Sequence, residues 1–124
     1  TANAYAWQLM SKIGKAVSPP IPNEDVYEIM LRRYAPVTLV SVPKGVNLAD
    51  YVPHAEMHSE GAEMAEWRVY KGSSQYDSKE MSVFISGVKS EAESLGIETL
   101  TPTELEAYAQ INQRMRHPAE SQKG

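Results

Sequence analysis

The chain has 124 residues, of which 42% are hydrophobic, and this is enough apolar sequence for one domain around a single core. It contains no Cys, which excludes a disulfide scaffold, a cysteine-ligated zinc site and a thiol nucleophile. The formal net charge is −4, from 16 acidic and 12 basic residues, so a nucleic-acid-binding role would depend on a local basic patch.

The N-terminal third predicts two helices with a proline-rich connector between them. Apolar residues recur at helical spacing from about residue 2 to residue 17. The following segment, 18–22, contains three prolines and is expected to be a stiff, non-helical connector. Asn23 is placed to cap a second helix, which has acidic residues in its first turn and Arg32 and Arg33 in its last. Pro36 ends that helix.

The middle of the chain predicts short strands. Residues 37–42 are rich in β-branched side chains and predict one strand, and residues 66–71 alternate between apolar and polar side chains and predict another. The pattern is weaker from 43 to 64, where a helical turn at 48–51 and a strand at 55–59 are the best assignments. No run approaches the roughly 18 apolar residues of a membrane span, and no signal peptide is visible.

The C-terminal half predicts two further helices. Asp77 and Glu80 have the spacing of a capping box, apolar residues follow at helical spacing from 81 to 95, and Gly96 ends this helix. Thr101 and Pro102 begin a fourth helix that is expected to reach about residue 116, and 118–124 is expected to be a flexible tail. The prediction is therefore one α+β domain over 1–117, with four helices on a small sheet. Because so small a sheet is not self-sufficient, a missing N-terminal segment or dimerisation would complete it.

The turn between the second clear strand and the third helix is the best candidate for a site. Lys71 and Lys79 flank a run of small hydroxylated residues that includes Ser73 and Ser74. Backbone N–H groups and two ammonium groups at a helix N-terminus would suit a phosphate or another anion. The alternative is an ordinary connection whose serines satisfy local backbone groups. Asp77 fits a cap better than a catalyst.

Other basic and aromatic residues are candidates for nucleic-acid contact. Arg32, Arg33 and Arg68 are placed to meet a phosphate backbone, although Arg32 and Arg33 also complement a helix C-terminus. Aromatic side chains can stack on unpaired bases, but in a small domain they also form core or a dimer interface. The aromatic candidates are Trp7, Trp67 and Tyr70.

His54, Glu56 and His58 are the one group in the sequence that suggests a metal site. The two histidines stand four residues apart, as in a His-Glu-x-x-His zinc motif, but the glutamate is in the wrong place and Pro53 precedes the group. A metal-dependent nuclease using these three residues is therefore an alternative hypothesis. No Ser/His/Asp triad, P-loop or dinucleotide-binding turn is visible, so no enzyme activity, metal or cofactor is expected from the leading interpretation.

Two segments carry a resemblance to a known family. Residues 71–82, KGSSQYDSKEMS, and residues 95–102, LGIETLTP, resemble the C-terminal half of the NinB/Orf-type phage recombination proteins, especially the prophage versions of Gram-positive bacteria. The opening, TANAYAW, is similar to the first helix of that family. The resemblance is dense only between about residues 67 and 105. The N-terminal strands and the Arg-Ser-Leu triplet of the family are absent, and residues 43–61 match no family pattern.

The resemblance implies a non-catalytic mediator of homologous recombination in the cytoplasm of a bacterial host. Such a protein is an α+β homodimer that binds single-stranded DNA together with a host single-strand-binding protein or recombinase. The expected DNA contacts are Arg32, Arg33, Arg68, Lys71, Ser73, Ser74 and Lys79. A third hypothesis is a protein-interaction module that does not depend on DNA. It is favoured by the net negative charge and by Trp7, which lies off the apolar face of the first helix.

Overall fold

A computed structural model describes residues 1–100 and 103–104 of the chain, and its elements are mixed α and β. The helices are α1 (Ala2–Ala16), α2 (Asn23–Tyr34) and α3 (Ser78–Ser94). The strands are β1 (Val37–Pro43), β2 (Ala55–Glu60) and β3 (Met64–Tyr70). Short 3-10 turns span Leu48–Asp50 and Ser73–Gln75. The three helices and three strands confirm the predicted elements up to residue 96, to within about two residues at each end.

The predicted fourth helix and the tail fall almost entirely outside the described residues, where only Thr103 and Glu104 are placed, both helical. An α+β fold is therefore confirmed, whereas the fourth helix, the single domain over 1–117 and completion of the sheet by a second copy stay predictions. None of the described helices is both long enough and apolar enough to cross a membrane.

The three strands form one antiparallel sheet with β3 in the centre. On one side β3 pairs with β1, with Trp67 opposite Val40, and on the other side it pairs with β2, with Val69 opposite Ala55. The register of β2 shifts between Met57 and Ser59, which is the signature of a β-bulge. Both edges of β3 are thus hydrogen-bonded, so its end, where the candidate turn begins, is fixed from two sides.

Alternation along β3 separates its side chains onto two faces of the sheet. Ala65 and Trp67 are buried on one face, where they pack with Leu48 from the first 3-10 turn. Arg68 and Tyr70 belong to the opposite face, on the side of Leu39 and Glu56 in the strand register. The apolar face makes the core under the 48–50 turn, and the other face carries charged and aromatic groups.

The described residues divide into two compact units, residues 1–26 with residues from 88 onward, and residues 27–87. In the first unit α1 buries one face, and a Cβ on Gly14 would collide with the backbone oxygen of Ile21, so glycine is required where the connector crosses the helix. In the second unit Phe84 is fully buried, with edge-on contacts to the rings of Tyr27 and Tyr76. The second unit contains all the residues of the candidate site.

Candidate functional site: a cleft at the strand–helix turn

A cleft of about 630 Å3 opens beside the turn that follows β3. It lies entirely within the 27–87 unit and combines aromatic rings, a histidine and small polar groups. Its volume falls in the range of ordinary ligand sites, about 300–1,000 Å3. The residues that line it are Tyr27, Pro36, Thr38, Val52, Pro53, His54, Val69, Tyr70, Lys71, Gly72, Ser74, Gln75 and Glu80.

The turn itself is held by two tyrosine hydroxyls. The backbone N–H of Ser73 donates to the hydroxyl of Tyr27 at 2.8 Å, and Ser73 is only 3% exposed. The hydroxyl of Tyr76 donates to the backbone oxygen of Lys71, also at 2.8 Å. Burial is the main cause that raises the pKa of Tyr76, so this donor keeps its proton. Ser73 is therefore a structural residue, whereas Ser74 is exposed and lines the cleft.

The start of α3 has the capping box that the sequence predicts. Asp77 Oδ1 accepts the backbone N–H of Glu80 at 2.8 Å, and Glu80 Oε1 accepts the backbone N–H of Asp77 at 3.0 Å. The same Glu80 oxygen lies 2.8 Å from Lys71 Nζ. The hydrogen bond from Lys71, followed by that from the Asp77 N–H, holds the pKa of Glu80 below its usual value. The side chains of Asp77 and Glu80 thus already accept hydrogen bonds from backbone N–H groups at the helix N-terminus.

The two lysines that flank the turn do not share a cleft. Lys71 lines the cleft of about 630 Å3 with its ammonium paired to Glu80. Lys79 is exposed and lines a second, smaller cleft of about 270 Å3, together with Tyr34 and Val83. Pro36 and Glu80 line both clefts and stand between them. The expected pair of ammonium groups around one anion is therefore replaced by two separate positions on either side of a carboxylate.

Arg32 is the centre of an ion-pair network on α2. Its Nη1 lies 3.0 Å from Glu28 Oε1 and its Nε lies 2.8 Å from Glu56 Oε2. Its guanidinium also lies 5.1 Å from the centre of the Tyr70 ring, a cation–π distance. Burial alone would lower the pKa of Arg32, but the hydrogen bonds to the two glutamates outweigh it and raise the pKa. Two carboxylates thus neutralise this candidate DNA contact.

The other two arginines predicted to contact DNA lie on different elements. Arg33 is exposed on α2. Arg68 is half-buried on β3, directly opposite Leu39 and Glu56 in the strand register. In the described part of the chain Arg68 and Lys79 have no carboxylate partner within 4.0 Å, so they are available for an external anion.

The predicted metal candidates each have a different neighbour. His54 Nδ1 lies 2.6 Å from Glu28 Oε2, Glu56 is bonded to Arg32, and His58 Nε2 lies 3.8 Å from Glu66 Oε1. Their segment is the strand β2 and the residue before it, not the helix that a His-Glu-x-x-His motif requires. Within residues 1–100 and 103–104, no group of three or more possible ligands is arranged to hold a metal ion.

Of the aromatic candidates, two are core residues. Trp67 and Tyr70 are each 6% exposed, which leaves Tyr70 only an edge in the cleft. Trp7, on α1, is half-buried. The aromatic residue that sequence reasoning missed is Tyr27, which contributes its hydroxyl to the turn and stands edge-on to His54, with 5.6 Å between ring centres. Glu28, the partner of His54, was missed as well, and helix periodicity alone gives no signal for either contact.

Comparison with known proteins gives no match that would identify this cleft. The chain matches no protein-family model, and no curated protein and no solved structure shows significant similarity to it.

Proposed function

We propose that this chain is a non-catalytic accessory protein of phage recombination that binds single-stranded DNA and works together with a host single-strand-binding protein or recombinase. The proposal is supported by the resemblance of residues 71–82 and 95–102 to the NinB/Orf-type proteins. It is also supported by the cleft, since the same segment supplies one wall of it through Lys71, Gly72, Ser74 and Gln75.

The cleft is the single observation that carries this proposal. It is lined by Tyr27, by an edge of the buried Tyr70, and by the polar residues Ser74 and Gln75. Proteins recognise unstacked bases with aromatic rings together with small hydrogen-bonding groups. A duplex would keep its bases stacked and out of reach of such a cleft, so the fit is to single strands.

The electrostatics of the cleft favour modest, salt-sensitive binding. The charges of Lys71 and Arg32 are balanced by glutamates, so they give little net attraction for phosphate. Arg68 lines neither cleft and Lys79 lines the smaller one, but an oligonucleotide would meet both of these cations without breaking an ion pair. We therefore assign the main phosphate contacts to these two residues.

Fluorescence anisotropy with labelled oligonucleotides tests the proposal. The wild type is expected to bind single strands in preference to duplex and to lose affinity as salt rises. Replacing Arg68 by Ala is expected to weaken binding and to reduce the slope of log K against log salt by about 1. Lys44→Ala removes the same charge from a residue that already pairs with a carboxylate, Glu60, so it is the matched control. Absence of oligonucleotide binding by the wild type overturns the proposal.

A protein-interaction module is the second candidate function, and the exposed side chains of β1 favour it. Val37 and Leu39 are 52% and 56% exposed, and among the strands of residues 1–100 and 103–104 β1 pairs with β3 alone. An apolar edge strand can add a strand of a partner protein. If the wild type binds a purified single-strand-binding protein without DNA, and Leu39→Lys abolishes that binding while oligonucleotides do not bind, this second function replaces the first.

A further inference from the structure

The imidazole of His54 is held in one orientation by α2. Its Nδ1 lies 2.6 Å from the Glu28 carboxylate, which in turn is bonded to Arg32 through its other oxygen. An ionised carboxylate can only accept hydrogen bonds, so Nδ1 carries the proton of the neutral ring. In a neutral imidazole, which carries one N–H, Nε2 is then the acceptor. The ring of Tyr27 packs edge-on against the imidazole and keeps it in place.

The Nε2 edge of His54 borders the cleft next to a glycine. A Cβ placed on Gly72 would lie 3.7 Å from His54 Nε2 and 3.6 Å from the Tyr27 hydroxyl, and His54 and Gly72 both line the cleft. In the described part of the chain Nε2 has no hydrogen-bond partner, although the side chain is only 22% exposed. The absence of a side chain at position 72 therefore leaves an oriented acceptor open to a ligand.

The backbone of His54 is also in an uncommon conformation. Its φ is 59°, in the left-handed region that few residues other than glycine adopt, although His and Asn tolerate it better than most. Such strain is found at functional sites, where the surroundings hold the residue in place. Here the contacts to Glu28 and Tyr27 do so.

From this geometry we infer that His54 is a specificity-determining residue, which accepts a hydrogen bond from a ring or exocyclic N–H of one unstacked nucleobase in the cleft. The inference rests on the proposed binding of single-stranded DNA and specifies what the cleft recognises. A lone pair on Nε2 accepts from an N–H donor but offers no hydrogen bond to a phosphate, whose oxygens are themselves acceptors at neutral pH. The neighbouring Gln75 amide supplies both a donor and an acceptor, as a base edge requires.

The test compares an oligonucleotide that carries bases with one of the same length that consists of abasic residues, so that the phosphate charge is unchanged. The wild type is expected to bind the base-containing strand roughly tenfold more tightly, as loss of stacking and one hydrogen bond implies. Gly72→Ala places a methyl group over Nε2 at ordinary contact distance and is expected to reduce this preference severalfold. His54→Asn replaces the imidazole by a shorter amide, which removes the acceptor from the Nε2 position, and Asn tolerates the left-handed backbone, so this variant is expected to do the same. Circular dichroism checks that both variants are folded.

Each outcome decides between the inference and the function on which it rests. If the wild type prefers the base-containing strand and both variants retain that preference, the inference is overturned and the proposed function stands. Equal binding of both strands by the wild type also overturns it, because phosphate alone is then recognised. If the wild type binds neither strand, the proposed function itself fails. The comparison of the two oligonucleotides with the wild type remains decisive even if the variants do not fold.

Discussion

Lys71 Nζ and the backbone N–H of Asp77 donate to the same carboxylate oxygen, Glu80 Oε1, at 2.8 and 3.0 Å. One side chain thereby joins the end of β3 to the first turn of α3. The capping box fixes the carboxylate, and the fixed carboxylate then fixes the lysine. The charge that sequence reasoning assigned to an external phosphate is thus used to join a strand to a helix.

This arrangement predicts a contribution to stability that depends on pH. The pKa of Glu80 is lower in the folded chain than its usual value of about 4.5, because of the hydrogen bond from Lys71 and then that from Asp77. The contribution is therefore fully present above the unfolded pKa and is lost as the pH falls through the folded pKa. Urea unfolding of the wild type and of Glu80→Gln should differ most above about pH 5 and converge towards pH 3. A gap that stays constant over this range would contradict the assignment.

The same pair predicts an effect on oligonucleotide binding. Glu80→Gln keeps an oxygen for the Asp77 N–H but removes the negative charge between the two clefts and releases Lys71. We expect affinity at low salt to rise a few-fold, with a steeper dependence on salt, because one more cation can meet phosphate. Glu60→Gln is the matched control, since Glu60 also pairs with a lysine, Lys44, at 3.5 Å outside both clefts. An equal gain in both variants would show that only net charge matters.

The capping hydrogen bond of Asp77 predicts a change in stability alone. Asp77→Ala removes the acceptor of the Glu80 N–H and should lower the free energy of unfolding by about 1 kcal/mol. Asp77→Ser keeps a capping oxygen and should retain most of the stability. Denaturant unfolding measures both. If Asp77→Ser proves as unstable as Asp77→Ala, the carboxylate has a role beyond capping.

Close packing at Gly87 predicts that alanine, the residue that most favours helix formation, destabilises the chain at this position. A Cβ at this position would collide with the ring of Tyr34 within the 27–87 unit. Although Ala is favoured over Gly in helices by about 1 kcal/mol, we expect Gly87→Ala to destabilise the chain by roughly 1–3 kcal/mol because the ring must be displaced. Ser86→Ala, at an exposed neighbouring position of α3, should change stability by less than about 0.5 kcal/mol. Thermal unfolding of the two variants makes the comparison, and equal midpoints would refute it.

Helices and strands could be predicted from the sequence where the residues that specify them lie close together along the chain. Asp77 and Glu80 lie three residues apart, so their capping box could be predicted without knowing the fold. The β-branched run of β1 and the alternation of β3 are local in the same way. These signals specify where a helix or strand begins, but not what its side chains meet.

The contacts that build the cleft could not be predicted from the sequence because they join residues that are far apart along the chain. The Ser73 N–H reaches the Tyr27 hydroxyl across 46 positions, and His54 reaches Glu28 from a loop that has no periodic pattern. Neither contact has a sequence motif, since the first depends on how α2 lies against the turn after β3 and the second on how α2 lies against the residue before β2. The histidine that suggested a metal ligand is thus held by a carboxylate from another element.

The central position of β3 has a consequence for the rate at which a ligand enters. Lys71 and Gly72 directly follow a strand that is paired on both sides, and hydroxyls of Tyr27 and Tyr76 secure the turn itself. Because the turn is held in this way, we expect association to be limited by encounter and differences between ligands to lie in their dissociation rates.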